Sequence, residues 1–238
     1  MENDNKTYNR RLRIGVLALQ GDFEAHLKAL REAAAILGRE IEAKAIRLPA
    51  QLEDLDGIIL PGGESTTIGK LMVMYGLQEP LKRKLQEGFP TWGTCAGLIL
   101  LAKETDNALE GQPLLACMDI RVRRNAFGSQ RESFETDLSV PVLGEAPFHA
   151  FFIRGPVIEE VGPEVETLAT LDDGTIVAVR EGPLLGTAFH PEVSGDPRFH
   201  HYFLRLVESV KCKGRGKPRV GQGDHEGRPY IIDESVKS

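Results

Sequence analysis

Midway along the chain the sequence reads Thr91-Trp92-Gly93-Thr94-Cys95-Ala96-Gly97, a cysteine with a glycine two residues away on either side. Few local patterns restrict a fold so strongly. Gly-x-Cys-x-Gly is the spacing of a nucleophile elbow, a tight strand-to-helix turn that lifts one reactive side chain to the rim of a sheet. Both glycines are needed because the backbone turns sharply and the helix packs close against the strand. The run Phe89–Thr94 supplies the strand, and Leu98–Ala102 reads as the buried helix behind it. A thiol at a helix N-terminus lies in a positive field, which favours the thiolate. Alone, the pattern also fits a buried structural cysteine in a glycine-rich turn. A second motif argues for chemistry: His190-Pro191-Glu192 closes another strand-like run, Leu184–Phe189. On an extended segment residues two apart share one side, and Pro191 fixes φ between them. The carboxylate then orients one ring nitrogen while the other faces Cys95, a Cys95–His190–Glu192 nucleophilic triad.

Around these motifs the first half alternates short apolar strands with helical segments. Arg13–Leu19, Ile41–Leu48 and Gly57–Leu60 read as strands. A helix begins after Gln20-Gly21-Asp22, with Asp22 as N-cap, and ends near Gly38. Pro61-Gly62-Gly63-Glu64-Ser65-Thr66-Thr67 leads into a helix to about Tyr75, capped through Ser65, and Gln78–Gln86 forms another. Alternation of this kind predicts an α/β fold, a parallel sheet with helices on both faces. The second half is strand-rich: Asp119–Arg123, Ser133–Leu138, His149–Arg154, Glu166–Ala169, Thr175–Arg180 and Leu184–Phe189, with few helices between them. These predict antiparallel strands added to the parallel core. Pro197–Val210 closes the domain as a helix. Residues 1–11 read as a loose extension, 12–210 as one domain, and 211–238 as a disordered tail rich in Gly, Lys, Arg and Pro.

At 238 residues, 41% apolar, the chain has ample core for one domain. A net charge of −6 argues against a general nucleic-acid or anionic-membrane binder. The longest apolar runs fall far short of the ~18 residues a membrane span needs. Cys95, Cys117 and Cys212 are too widely spaced for a disulfide framework or zinc site. A working thiolate suits a reducing, cytoplasmic setting. Cys117 and Cys212 read as structural, Trp92 as core, and His26 as either an interface-rim histidine or a capping or surface one.

Six segments now stand in order: Gly15-Val16-Leu17-Ala18-Leu19-Gln20-Gly21, the Pro61–Thr67 loop, Gly93–Gly97, Arg124–Gln130 with Ser133-Phe134-Glu135, Phe152-Ile153-Arg154-Gly155-Pro156, and His190-Pro191-Glu192. Over roughly residues 12–210 the chain resembles the glutaminase subunits of pyridoxal 5′-phosphate synthase, a branch of the class I glutamine amidotransferases. The resemblance implies a three-layer, flavodoxin-like fold. It implies that Cys95 attacks the side-chain amide of L-glutamine, that His190 shuttles the proton, and that Glu192 orients His190. Backbone N–H groups of Gly63 and Ala96 would form the oxyanion hole. Gly63, Glu64, Ser65, Arg124, Ile153 and Arg154 would bind the substrate, with arginine suited to its carboxylate. Among Arg121, Arg123 and Arg124, the choice of Arg124 rests on the family's Arg-Asn-x-Phe-Gly segment alone. Ser129 and Gly155 depart from the Arg and Ala common in relatives. The resemblance further implies a synthase subunit as partner in a heteromeric complex, ammonia channelled to it, and low activity without it. Docking would fall near the Gly62-Gly63 loop and Gln20-Gly21. No metal or organic cofactor is implied. Rival readings are another class I glutaminase, a cysteine-elbow hydrolase of a different class (which would lack the downstream His-x-Glu), and a non-catalytic scaffold.

Overall fold

The structure is a computed structural model that describes residues 11–107, 111–124 and 133–214. The first strand, β1 (Leu12–Leu17), is flanked by β2 (Ile41–Ile46) and β3 (Gly57–Leu60), and β3 by β4 (Thr91–Thr94), all parallel. β12 (Leu184–Thr187) completes a five-strand parallel core in the order β2-β1-β3-β4-β12. That order is the doubly wound, flavodoxin-like one, whose ligand crevice opens at the carboxyl ends of the strands. Beyond β12 the sheet turns antiparallel through β11 (Ile176–Glu181), β9 (Val157–Val161) and β6 (Met118–Arg123), with β5 (Ala102–Asp106) parallel to β6 and β10 (Glu166–Thr170) paired to β11. β7 (Ser133–Leu138) and β8 (Phe148–Ile153) form a separate antiparallel pair.

Helices cover both faces. Trp92 and Gly93 are neighbours on β4, so their side positions point to opposite faces. Trp92 packs on Phe199 and Phe203 of α5 (Arg198–Gly214), whereas a Cβ on Gly93 would stand 2.5 Å from the Gly97 backbone in α4 (Ala96–Leu101). α1 (Phe23–Ile36) packs with α5, and α2 (Ser65–Met74) with α4 and α3 (Gln78–Gln86). The core joins Ile14, Val16, Ile58, Leu60 and Leu98 to an aromatic cluster of Trp92, Phe148, Phe152, Phe189, Phe199 and Phe203, all fully buried.

β3, β7 and α3 have the ends expected from sequence, and the Asp22 carboxylate caps α1 by accepting from the Ala25 N–H at 3.1 Å. Two strands, β5 and β9, were not expected. β9 reads Val-Ile-Glu-Glu-Val, with no apolar alternation, because Glu159 and Glu160 are spent on Arg121 and Arg123 of β6. β5 follows α4 without a break and carries Lys103 and Glu104 exposed. The closing helix is also longer than expected, running past Val210 to Gly214. Its last turn is anchored: Lys211 Nζ lies 2.7 Å from Asp56 Oδ1, and Asp56 Oδ2 accepts the Arg13 N–H. The rest of the expected extension and tail lies outside the described residues.

This anchor is testable. Lys211→Ala should lower unfolding free energy by about 1 kcal/mol, the scale of a partly exposed ion pair. Asp56→Ala should cost about 2 kcal/mol because a β1 amide also loses its acceptor. Urea denaturation midpoints measure both, and a neutral Asp56→Ala contradicts the assignment.

Candidate active site

Cys95 sits where β4 turns into α4, at φ 48° and ψ −102°, a region that non-glycine residues seldom occupy. Glycine enforces this turn. A Cβ on Gly97 would come 2.0 Å from the Leu60 carbonyl oxygen, so α4 rides directly on the end of β3. The Cys95 N–H donates to Thr187 O at 2.8 Å, tying the elbow to β12. The next residues past β12 bring His190 alongside: a Cβ on Gly62 would stand 2.4 Å from His190 Cε1 and 3.4 Å from Cys95 Cβ. Gly62 is thus the floor that both side chains share. The Cys95 thiol points at Ile153 O of β8, 3.9 Å away, and the Phe151 carbonyl accepts the His190 N–H at 2.9 Å.

His190 Nδ1 is 2.8 Å from Glu192 Oε1, with the Glu192 side chain only 1% exposed. Pro191 carries the chain between them in a turn, closed by the Val193 N–H donating to His190 O at 3.2 Å, where the spacing predicts an extended segment; the turn still brings the two side chains together. Burial pushes the His190 imidazole down, but Cys95 and Glu192 beside it raise its pKa to about 10. Burial likewise pushes the Glu192 carboxyl up, yet His26 and His190 hold it below the usual carboxylate range. These neighbours favour the imidazolium form of His190, with the Glu192 carboxylate on Nδ1 and Cys95 beside the ring.

Beside this group the Pro61–Thr67 loop is braced from β1. Gln20 Oε1 accepts the Glu64 N–H at 2.8 Å, and Gly21 packs so closely on the Gly62 carbonyl that a Cβ there would lie 1.8 Å from it. Gly63 has φ 148°, and a Cβ on it would meet the Gln20 side chain at 2.3 Å. Ala96 opens α4 directly after the thiol. The cap of α2 differs from expectation: Glu64, not Ser65, is the N-cap, its carboxylate accepting from the N–H groups of Thr66 at 3.2 Å and Thr67 at 2.7 Å. Ser65 Oγ instead accepts from Gln112 Nε2 at 3.1 Å.

Arg121 and Arg123 are tied to Asp106, Glu159 and Glu160 along the sheet. Arg124, one residue past β6, turns toward the loop, donating to Gln112 Oε1 at 2.6 Å and Glu64 Oε1 at 2.9 Å. So Glu64, Ser65 and Arg124 gather around Gln112, a residue that sequence reading missed because it stands in no motif. Ile153 and Arg154 lie at the exposed end of β8, and Arg154 has φ 49°, another strained position beside the thiol. Ser129 falls outside the described residues. Cys117 is half-buried, its pKa raised by burial, and Cys212 is exposed on α5. Among the described residues no helix is long and apolar enough to cross a membrane.

A sequence profile of the SNO glutamine amidotransferase family matches residues 16–209. The chain belongs to that family. The "Pyridoxal 5′-phosphate synthase subunit PdxT" of Herpetosiphon aurantiacus is 59% identical over 194 residues, 81% of this chain and 99% of that protein. The protein of the same name from Moorella thermoacetica is 54% identical, over 82% of this chain and all of its own length (100%). A solved structure described as a glutamine amidotransferase superposes with a TM-score of 0.73 at 49% identity, covering 82% of this chain and 98% of that one. The glutamine amidotransferase fold thus places Cys95, His190 and the Pro61–Thr67 loop together at the carboxyl ends of β4, β12 and β3.

The raised His190 pKa has a sign that can be checked. A folded-state value above the free imidazole's 6.5 stabilises the fold fully below 6.5 and loses that contribution as pH rises through about 10. Replacing Glu192 with Gln removes one of the two supports, so His190 should titrate well below its native position. Histidine ring resonances followed by NMR report this, and a titration unmoved by the substitution contradicts the Glu192 contact.

Proposed function

We propose that this chain hydrolyses L-glutamine to L-glutamate and ammonia, as the glutaminase subunit of a pyridoxal 5′-phosphate synthase. The observation that carries the proposal is the His190 imidazole held 2.8 Å from a buried Glu192 and sharing the Gly62 flank with Cys95, in a member of a glutamine amidotransferase family.

The steps follow from the groups present. The Cys95 thiolate attacks the side-chain carbonyl carbon of glutamine, forming a C–S bond and moving the carbonyl pair onto oxygen. Backbone N–H groups of Ala96 and Gly63 are the donors proposed for that oxyanion, and glycine at 62 and 63 lets the connecting peptide turn to present its N–H. The His190 imidazolium gives its proton to the departing nitrogen as the C–N bond breaks, releasing ammonia and leaving a glutamyl thioester. Neutral His190 then takes a proton from water, whose oxygen attacks the thioester carbon. The C–S bond breaks, glutamate leaves, and the thiolate–imidazolium pair is restored. Glu192 keeps His190 in the tautomer and orientation both steps need.

Arg124, held by Gln112 and Glu64, supplies the cation for the substrate α-carboxylate, and Glu64 and Ser65 line the same side. Ile153 and Arg154 close the opposite rim. Ammonia made at the strand ends passes to a synthase subunit, the partner that the relatives' name as synthase subunits supports. Gln20 and Gly21, which brace the Gly62-Gly63 loop, are positioned to couple docking to the oxyanion donors.

Purified chain assayed for glutamate release, with and without a synthase subunit, tests this reading. Release should rise sharply with the subunit and disappear in Cys95→Ala, whereas Arg124→Ala should raise KM roughly tenfold, the loss of one charge-assisted hydrogen-bond pair. Equal turnover with and without the subunit contradicts the partner, and an active Cys95→Ala contradicts the nucleophile.

A further inference from the structure

Behind the proposed triad, on the side away from solvent, two histidines are completely buried. His26 of α1 and His200 of α5 are both 0% exposed, although His26 reads from sequence as a rim, capping or surface residue. The His26 position falls with Leu27, Leu30, Ala33 and Ala34 on the inward face of α1, which is a signal that the helical period carries. His26 Nε2 stands 3.3 Å from Glu192 Oε2 and 3.3 Å from Thr94 Oγ1, and its Nδ1 lies 3.0 Å from His200 Nε2. Trp92 packs edge-on against both rings, at 5.7 Å and 4.9 Å between centroids.

We propose that His26, held by His200, is a positioning residue that fixes the buried oxygen of the Glu192 carboxylate and so extends the Cys95–His190–Glu192 line into the core. This rests on the reading of Cys95 as the nucleophile. Glu192 presents Oε1 to His190, while Oε2 has no aligned hydrogen bond among the described residues and looks onto His26 Nε2. A carboxylate so placed swings or protonates unless something holds its second oxygen.

The tautomers follow from the geometry. Were the His26 proton on Nδ1, a bare Nε2 lone pair would face a carboxylate oxygen, and the His200 Nδ1 proton would be a buried donor with no partner, since that atom has none. With the proton on Nε2, His26 presents its N–H to Thr94 Oγ1 and its positive end to Glu192 Oε2, accepts from His200 Nε2 at Nδ1, and the atom left unpaired on His200 is a bare acceptor. Burial keeps both rings neutral by pushing their pKa values down, His200 furthest. Three separate elements, α1, β4 and α5, thus deliver His26, Thr94 and His200 to one point in an otherwise apolar layer. The titratable groups facing His26 are Glu192 and His190 from beyond β12, Asp22 from its own helix cap, and His200 from α5.

The test compares two amides in the full chain. His26→Gln places its N–H where Nε2 stands and still reaches Glu192. His26→Asn places its amide where Nδ1 stands and reaches only His200. Iodoacetamide labelling of Cys95, read by mass spectrometry across neutral pH, needs neither glutamine nor a partner. Its outcome is therefore separate from the fate of the glutaminase assignment. In His26→Asn the labelling rate should fall roughly tenfold with its midpoint moved to higher pH, whereas His26→Gln should stay within about threefold of native. In glutamine hydrolysis the loss should fall on kcat, with KM nearly unchanged. Equal losses in both variants, or none in either, overturn the proposal. Should neither variant fold, the native chain decides: ¹⁵N shifts must show His26 protonated at Nε2 and bare at Nδ1, and the reverse tautomer overturns it.

Discussion

The structure turns on the approach of α4 to the end of β3. Gly97 lies so near the Leu60 carbonyl that no side chain fits between them, and Gly93 lies equally close to Gly97. That approach leaves Cys95 no ordinary backbone conformation: it is held at φ 48°, with strain that the surrounding sheet absorbs. Because the cysteine N–H is bonded to Thr187, the same turn fixes the distance between β4 and β12, and with it the reach of His190. The thiol's position is thus set by packing between elements and leaves little to the local flexibility of a loop.

Around this fixed point the two sides of the site are built differently. On the core side, Glu192 is closed off between His190 and His26, where low dielectric makes each contact strong and each missing partner costly. On the solvent side, the Gly62-Gly63 loop, Arg124 and the Ile153-Arg154 end of β8 are held by polar side chains such as Gln20 and Gln112.

Much of this was legible in the sequence. The elbow, the His-Pro-Glu turn and the alternation of strands and helices led directly to the site's place at the strand ends, since each obeys a local steric rule. What escaped detection was long-range. β9 and β5 are held by charge pairs across strands, so their sequences lack an apolar period. Gln112 acquires its role only from three partners distant in the chain. Local preference favours Ser65 over Glu64 as the cap of α2, and Glu64 takes the role only because of where the loop enters the helix. His26 looked like a surface or rim residue because a histidine on a helix usually is one; only the arrival of α5 and Glu192 makes burial tolerable. Conversely, Arg121, Arg123 and Arg124 are indistinguishable by type, and strand geometry separates the two that pair along the sheet from the one that turns to the loop.

Cys95 is proposed as the nucleophile that attacks the side-chain carbonyl carbon of glutamine. A glutamine analogue with a diazoketone in place of the amide tests it most directly, since attack there gives a stable thioether with loss of nitrogen gas. Mass spectrometry of the labelled chain should find one adduct, on Cys95, suppressed by excess glutamine. Labelling spread over Cys117 and Cys212, or labelling of Cys95 that glutamine does not slow, would contradict the account.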